Sequence, residues 1–206
     1  MQQPVSTVIF DLGAVLIDWN PRYLYRKIFD DEAKVDHFLR EICPPEWNKT
    51  LDAGRPFAQA VADQSVKFPE FRDEIEAYHT RWLEMIGGPI AGTVTILEEL
   101  DDKRVPLYAL TNWSAESFPL VRHDPTYAFL DRFRHIVVSG EIMLIKPDPE
   151  IYRHTLEKTG EKAENCLFID DSKANCDGAQ AMGIQSHHFT SPEKLADDLK
   201  RRGLIG

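Results

Sequence analysis

Cysteine is scarce in this chain. The three present, Cys43, Cys166 and Cys176, form an odd set without a Cys-x-x-Cys pair, which indicates neither a disulfide framework nor a cysteine-held zinc site. Positive charge is also short, with 24 Lys and Arg against 34 Asp and Glu for a net of −10. Affinity for nucleic acid rests on basic patches, so this balance speaks against a nucleic-acid partner and leaves small molecules or other proteins. No apolar run approaches the roughly 20 residues that span a bilayer, so no membrane partner is expected. The opening residues lack a charged region followed by an apolar stretch and a cleavage site, and the expected compartment is cytoplasmic. Repeats and low-complexity segments are missing too. What is there is a 206-residue sequence, 43% hydrophobic, with four Trp, six Tyr and eleven Phe. That length suits one α/β core, or a core of about 130 residues with a smaller inserted domain.

The stretch Val8-Ile9-Phe10-Asp11-Leu12-Gly13-Ala14-Val15 organises the rest. A short β-branched and aromatic run that stops at a carboxylate reads as a buried strand delivering Asp11 to the rim of a parallel sheet, where open α/β folds bind ligands. Gly13 would let the backbone turn sharply there and approach whatever Asp11 touches. Residues 16–22 read as a turn leading into a helix containing Tyr23 to Ile28. From about Asp31 to Met85 only helical spacing is found, punctuated by Pro44-Pro45 and Gly54, with Gly87-Gly88-Pro89 as an expected hinge.

The α/β rhythm then returns. A helix over Thr93 to Leu100 precedes a strand over Pro106 to Leu110 that ends at Thr111-Asn112, and a helix near Ala115 to Arg122 precedes a strand over His135 to Val138. Lys146-Pro147-Asp148-Pro149 opens a helix that Gly160 stops, with Asp148 as its expected cap. The strand over Cys166 to Ile169 ends at Asp170-Asp171, and a helix over Asn175 to Met182, a strand over Gln185 to Phe189 and a helix from Ser191-Pro192 to near Gly203 complete the chain. Alternation of this kind predicts a doubly wound, mostly parallel sheet. The predicted division is an α/β core of residues 1–17 and 88–206 with a helical insert over 18–87.

If those strands hold, Asp11, Thr111-Asn112, Lys146 and Asp170-Asp171 meet at one sheet edge, and such convergence marks an active site. Each group has an ordinary alternative: a strand-end turn for Asp11, helix caps for Thr111 and Asn112, a solvated surface for Lys146, and a lead into a helix capped at Ser172 for Asp170-Asp171. Carboxylates meeting at one point need a shared proton or a hard cation, and beside a lysine and a hydroxyl the cation favoured is Mg²⁺.

Asp11, Thr111, Lys146 and Asp170-Asp171, in this order and with a helical insert between the first two, resemble the four motifs of the haloacid dehalogenase superfamily. The resemblance implies an insert acting as a cap, Asp11 as nucleophile, and a Mg²⁺-dependent phosphatase that hydrolyses a small phosphorylated metabolite through an aspartyl-phosphate. It implies Mg²⁺ on Asp11, the Gly13 carbonyl and Asp170, with Asp171 nearby or through water. Lys146 would neutralise charge, while Thr111 and Asn112 would hold phosphoryl oxygens. One departure stands out: most phosphatases of the superfamily have a second Asp, a proton donor, where this chain has Gly13. Its Asp-Leu-Gly-Ala-Val resembles the Asp-Leu-Gly-Asn-Val of bacterial glucose-1-phosphate phosphatases, which makes a sugar phosphate one candidate substrate. Two readings stay open beside this one. A metal-free 2-haloacid dehalogenase also lacks the second Asp, and a catalytically weak regulator could bind phospho-ligands or proteins.

Overall fold

The structure, a computed structural model, describes residues 4–206. Its centre is a five-stranded sheet in the order β5-β4-β1-β6-β7, with every pairing parallel. The strands are β1 (Thr7–Phe10), β4 (Leu107–Thr111), β5 (His135–Val138), β6 (Cys166–Asp170) and β7 (Gln185–His188). Two further strands, β2 (Ile17–Trp19) and β3 (Ile86–Pro89), form a separate antiparallel ribbon.

Alternation along β1 explains why this sheet is buried on both faces. Val8 and Phe10 pack into one apolar cluster, together with Leu107, Ala109, Leu167 and Ile169. Ile9 enters the other, with Tyr108, Leu110, Cys166 and Phe168. The strand order also fixes the site. The chain runs outward from β1 through β4 to β5, then crosses back to β6 and β7, so the carboxyl ends of β1, β4 and β6 lie side by side at a reversal of direction.

Between the ribbon's two strands the chain is helical: Arg22–Ile28, Glu32–His37, Pro45–Asp52, Phe57–Lys67 and Arg72–Thr80, joined by shorter turns of other pitch. Phe38, Trp47, Phe57, Tyr78 and Trp82 of this insert are buried and continuous with the first apolar cluster of the sheet. All three cysteines are buried and unpaired. Among the described residues no helix is long and apolar enough to cross a membrane.

Several local expectations are corrected. Residues 16–22, expected as a turn, contain strand β2, and the expected hinge at Gly87-Gly88-Pro89 lies in β3. A Cβ at Gly87 would press on the Asp18 and Tyr23 side chains, and Gly88 takes φ of 111°. The turn after Asp11 does not depend on Gly13 either: the left-handed residue is Ala14, at φ 56°, and a Cβ at Gly13 would meet nothing within 4 Å. The helix near 115–122 is confined to Phe118–Arg122, and two short helical segments, Pro125–Arg132 and Ser139–Ile142, were not expected. Asp148 stands at the N-cap of Pro149–Thr159, but its side chain makes no capping bond. Gly160 ends that helix in the left-handed conformation, as its position predicts.

Candidate active site

Asp11 follows directly on β1, its amide donating to the Ile169 carbonyl at 2.8 Å, so the sheet ladder itself sets it beside β6. Lys146 lies on the loop after β5, with its side chain fully buried. Its Nζ sits 2.9 Å from Asp11 Oδ1 and 2.7 Å from Asp170 Oδ2. A third bond goes to the Leu110 carbonyl at 3.0 Å, and the Phe168 ring lies below it, 5.4 Å to the centroid. An ammonium has three protons, and all three find acceptors here.

Asn112 explains how the lysine is aimed. Its Oδ1 accepts from the Lys146 amide at 2.9 Å and its Nδ2 donates to the Lys146 carbonyl at 3.1 Å. Both ends of the carboxamide thus hold the Lys146 backbone, while Asn112 also borders the cleft, where the resemblance implied contact with a phosphoryl group. Thr111 closes β4 with its Oγ1 buried and unpartnered.

Asp170 is fully buried at the end of β6. Besides Lys146, its Oδ1 accepts from the Ser172 amide at 2.8 Å and from Asn175 Nδ2 at 3.0 Å. Asp171 faces the cleft, and the closest carboxylate oxygens of Asp11, Asp170 and Asp171 lie within 4.8 Å of one another. Burial pushes the Asp11 carboxyl up to about 7, against the pull of Lys146 and with the help of Asp170. Burial and the Asp170 charge raise Asp171 as well. Three carboxylates therefore face one ammonium, and a divalent cation would supply the two positive charges that are missing. The oxygen donors fit a hard ion.

These groups open into a cleft of about 560 Å³ that reaches from Asp11, Gly13, Lys146 and Asp171 to Asn48, Asp52 and Tyr78 of the insert. A smaller recess of about 90 Å³ adjoins it, walled by Trp19, Phe57, Trp82, Trp113 and Ser117, and it too touches Gly13 and Asp52. Trp82 and Trp113 lie 5.5 Å apart between ring centroids.

A family profile described as haloacid dehalogenase-like hydrolase matches residues 5–183. The chain belongs to this family of hydrolases. Among curated proteins it is 29% identical over 204 residues to the sesquiterpene phosphatase astK of Aspergillus oryzae, covering 98% of this chain and 97% of that one. It is 26% identical over 188 residues to a phosphorylated carbohydrates phosphatase of Thermotoga maritima, covering 88% and 83%. Among solved structures, a family enzyme of Bacteroides thetaiotaomicron in complex with magnesium and inorganic phosphate matches with a TM-score of 0.67 at 22% identity, over 90% of this chain and 94% of that one.

All the residues singled out in the sequence thus lie at one sheet edge, and Asp11, Gly13, Asn112, Lys146 and Asp171 line the cleft itself. Asn48, beside Trp47, is readable from sequence only as a substrate contact or a packing residue, and Asp52 and Asn175 stand in no motif. Asn175 follows Asp170 by five residues on the next helix, a spacing that brings it back over the strand end, and this was the one signal available. For Asn48 and Asp52 the packing of the insert decides, and no motif carries it.

Proposed function

We propose that the protein is a Mg²⁺-dependent phosphatase acting on a small phosphate monoester through an aspartyl-phosphate on Asp11. The observation that carries this reading is the buried Lys146 ammonium held between Asp11 and Asp170 at 2.9 and 2.7 Å, with Asp171 alongside. Asp11 Oδ1 accepts from both Lys146 and the Leu12 amide at 2.7 Å, which leaves Oδ2 to attack phosphorus. Lys146 offsets the charge of the phosphoryl group as it approaches. The unpartnered Thr111 hydroxyl is suited to a phosphoryl oxygen, whereas Asn112 positions Lys146.

Asp11, the Gly13 carbonyl and the acidic pair would hold the ion, which polarises the phosphoryl oxygens and lets anions approach one another. Within the pair, Asp171 is the better direct ligand, because both Asp170 oxygens already accept from Lys146, Ser172 and Asn175. In this reading residues 18–87 act as a cap over a core of 1–17 and 88–206. The aromatic walls of the recess suit the flat face of a sugar or a compact apolar group. A haloacid substrate fits poorly: at an effective dielectric near 20, its carboxylate about 5 Å from one unneutralised carboxylate costs about 3 kcal/mol.

Phosphate release across a panel of sugar phosphates, nucleotides and isoprenoid phosphates, with Mg²⁺, tests the reading. Wild type is expected to turn over at least one ester, and Asp11→Asn to lose at least a thousandfold. Full turnover by Asp11→Asn would refute it.

A further inference from the structure

Gly13 leaves this chain without a carboxyl two residues after the nucleophile, although the backbone there does not require glycine. Its φ is not left-handed, and a Cβ would meet nothing within 4 Å. A carboxyl nevertheless borders the same space from the other side. Asp52, the last residue of the insert helix Pro45–Asp52, lines both the cleft and the aromatic recess, and in each it shares the wall with Gly13.

Asp52 is held by the core and the insert together. The Ser139 hydroxyl donates to its carbonyl at 2.6 Å and accepts from the Trp113 amide at 2.9 Å, so the end of the helix is tied to the loop after β4. Its carboxyl accepts from Asn48 Nδ2 at 2.9 Å and from the Ser114 amide. Asn48 is fixed in turn by the Tyr78 hydroxyl at 2.7 Å. Among the described residues Asp52 makes no ion pair, unlike Asp63 on the next helix of the insert, which pairs with Arg55. Asp52 is thus a partly buried acid held in place where the insert meets the loop after β4, and it borders a substrate-sized cleft.

We propose that Asp52 is the proton donor to the leaving oxygen, standing on the insert in place of the carboxyl that the core lacks at Gly13. This rests on the phosphatase reading. In the first step an Asp11 oxygen forms a bond to phosphorus, the bond from phosphorus to the ester oxygen breaks, and its electron pair takes the Asp52 proton, so that the product leaves as a neutral alcohol. In the second step the Asp52 carboxylate takes a proton from water, whose oxygen attacks phosphorus. The bond to Asp11 breaks, hydrogen phosphate forms, and both aspartates return to their starting states.

The protonation state agrees. Burial pushes Asp52 up to about 7, only partly opposed by Lys146 and the Ser114 amide, so the acid form persists near neutral pH. The other titratable groups bordering the cleft are Asp11, Cys43, Lys49, Tyr78, Lys146 and Asp171. Of these, Asp11 is already placed as the nucleophile, Lys146 as its counter-charge and Asp171 as a ligand of the ion.

Two esters separate this role from a structural one: p-nitrophenyl phosphate, whose leaving phenolate needs no proton, and glycerol 2-phosphate, whose alkoxide does. Asp52→Asn is expected to lower kcat/KM on glycerol 2-phosphate by about 10² to 10⁴ and on p-nitrophenyl phosphate by less than tenfold. Gly13→Asp in the Asp52→Asn background should recover the alkyl ester selectively. The wild type alone provides a second measurement, because its alkyl-to-aryl rate ratio should fall as pH rises through about 7. Equal losses on the two esters, or a wild-type ratio that does not change with pH, would overturn the role of Asp52. If wild type with Mg²⁺ hydrolysed neither ester nor any member of the panel, the phosphatase reading would fall, and this one with it.

Discussion

Lys146 is a fixed positive charge in a place water does not reach, and its removal has consequences for both stability and activity. Lys146→Met keeps the volume of the stem but leaves Asp11 and Asp170 facing each other without the ammonium between them. Breaking a buried pair from one side costs about 3–5 kcal/mol, and turnover is expected to fall at least a thousandfold. The stability loss has a definite pH sign. Asp11 already sits above its ordinary value and would rise further once Lys146 is gone. A carboxyl held above its unfolded value binds protons more readily folded than unfolded, so the variant should regain stability as pH falls from about 8 toward 5. Chemical denaturation at three pH values, in the presence of a chelator, measures this. Asp11 and the acidic pair were legible in the sequence because each stands at the end of a strongly apolar strand, and Lys146 because Lys-Pro-Asp-Pro opens the next helix. The use of Asn112 was not, since a carboxamide next to Thr111 looks the same whether it grips a ligand or a neighbouring backbone.

Elements differ in how plainly they announce themselves. The strands β1, β4 and β6 are apolar runs buried on both faces, and their own composition specifies them. By contrast β2 has three residues and β3 carries two glycines, and only their mutual pairing, across 66 residues of insert, makes them strands. Local propensity cannot carry that information. The final helix, Pro192–Arg201, announces itself with Ser191, whose hydroxyl accepts from the Lys194 amide at 3.4 Å. Its inner face depends on Asp198, which bonds Arg202 at 2.9 Å, Arg201 at 3.1 Å and His187 of β7 at 3.1 Å. Burial alone would raise Asp198, but the two guanidiniums outweigh it and hold the carboxyl below its usual value of 3.8. A carboxylate lowered by folding contributes stability in full above its unfolded value and loses it as pH falls through the folded one. Wild type should therefore lose stability more steeply than Asp198→Asn below about pH 4. Thermal melts from pH 6 to pH 3 would show the two curves converging in acid.

At the scale of the whole molecule, the insert and the core meet in a few close contacts. On the core side Gly140 packs tightly: a Cβ there would stand 2.5 Å from the Ala115 amide and 2.8 Å from the Trp113 carbonyl, both in the core loop that walls the recess. Gly54 faces the same place, with φ of 96° and a hypothetical Cβ 3.0 Å from the Gly140 carbonyl. Gly140→Ala must displace backbone, so a loss of about 1–3 kcal/mol is expected. It should be accompanied by a lower kcat/KM, read from thermal unfolding and from turnover of the best panel ester. The class of the fold and the edge where chemistry gathers were both legible in the order of strands and helices. The cleft's far wall was not, because it is built only when the insert folds back on the sheet.

The buried thiols have a practical consequence. Cys43, Cys166 and Cys176 are all buried, and burial raises each above the ordinary range for a thiol, so none offers a reactive thiolate at neutral pH. A single cysteine introduced on the insert and another on the core could then be labelled with a dye pair against a silent native background, and their separation followed while an ester is consumed.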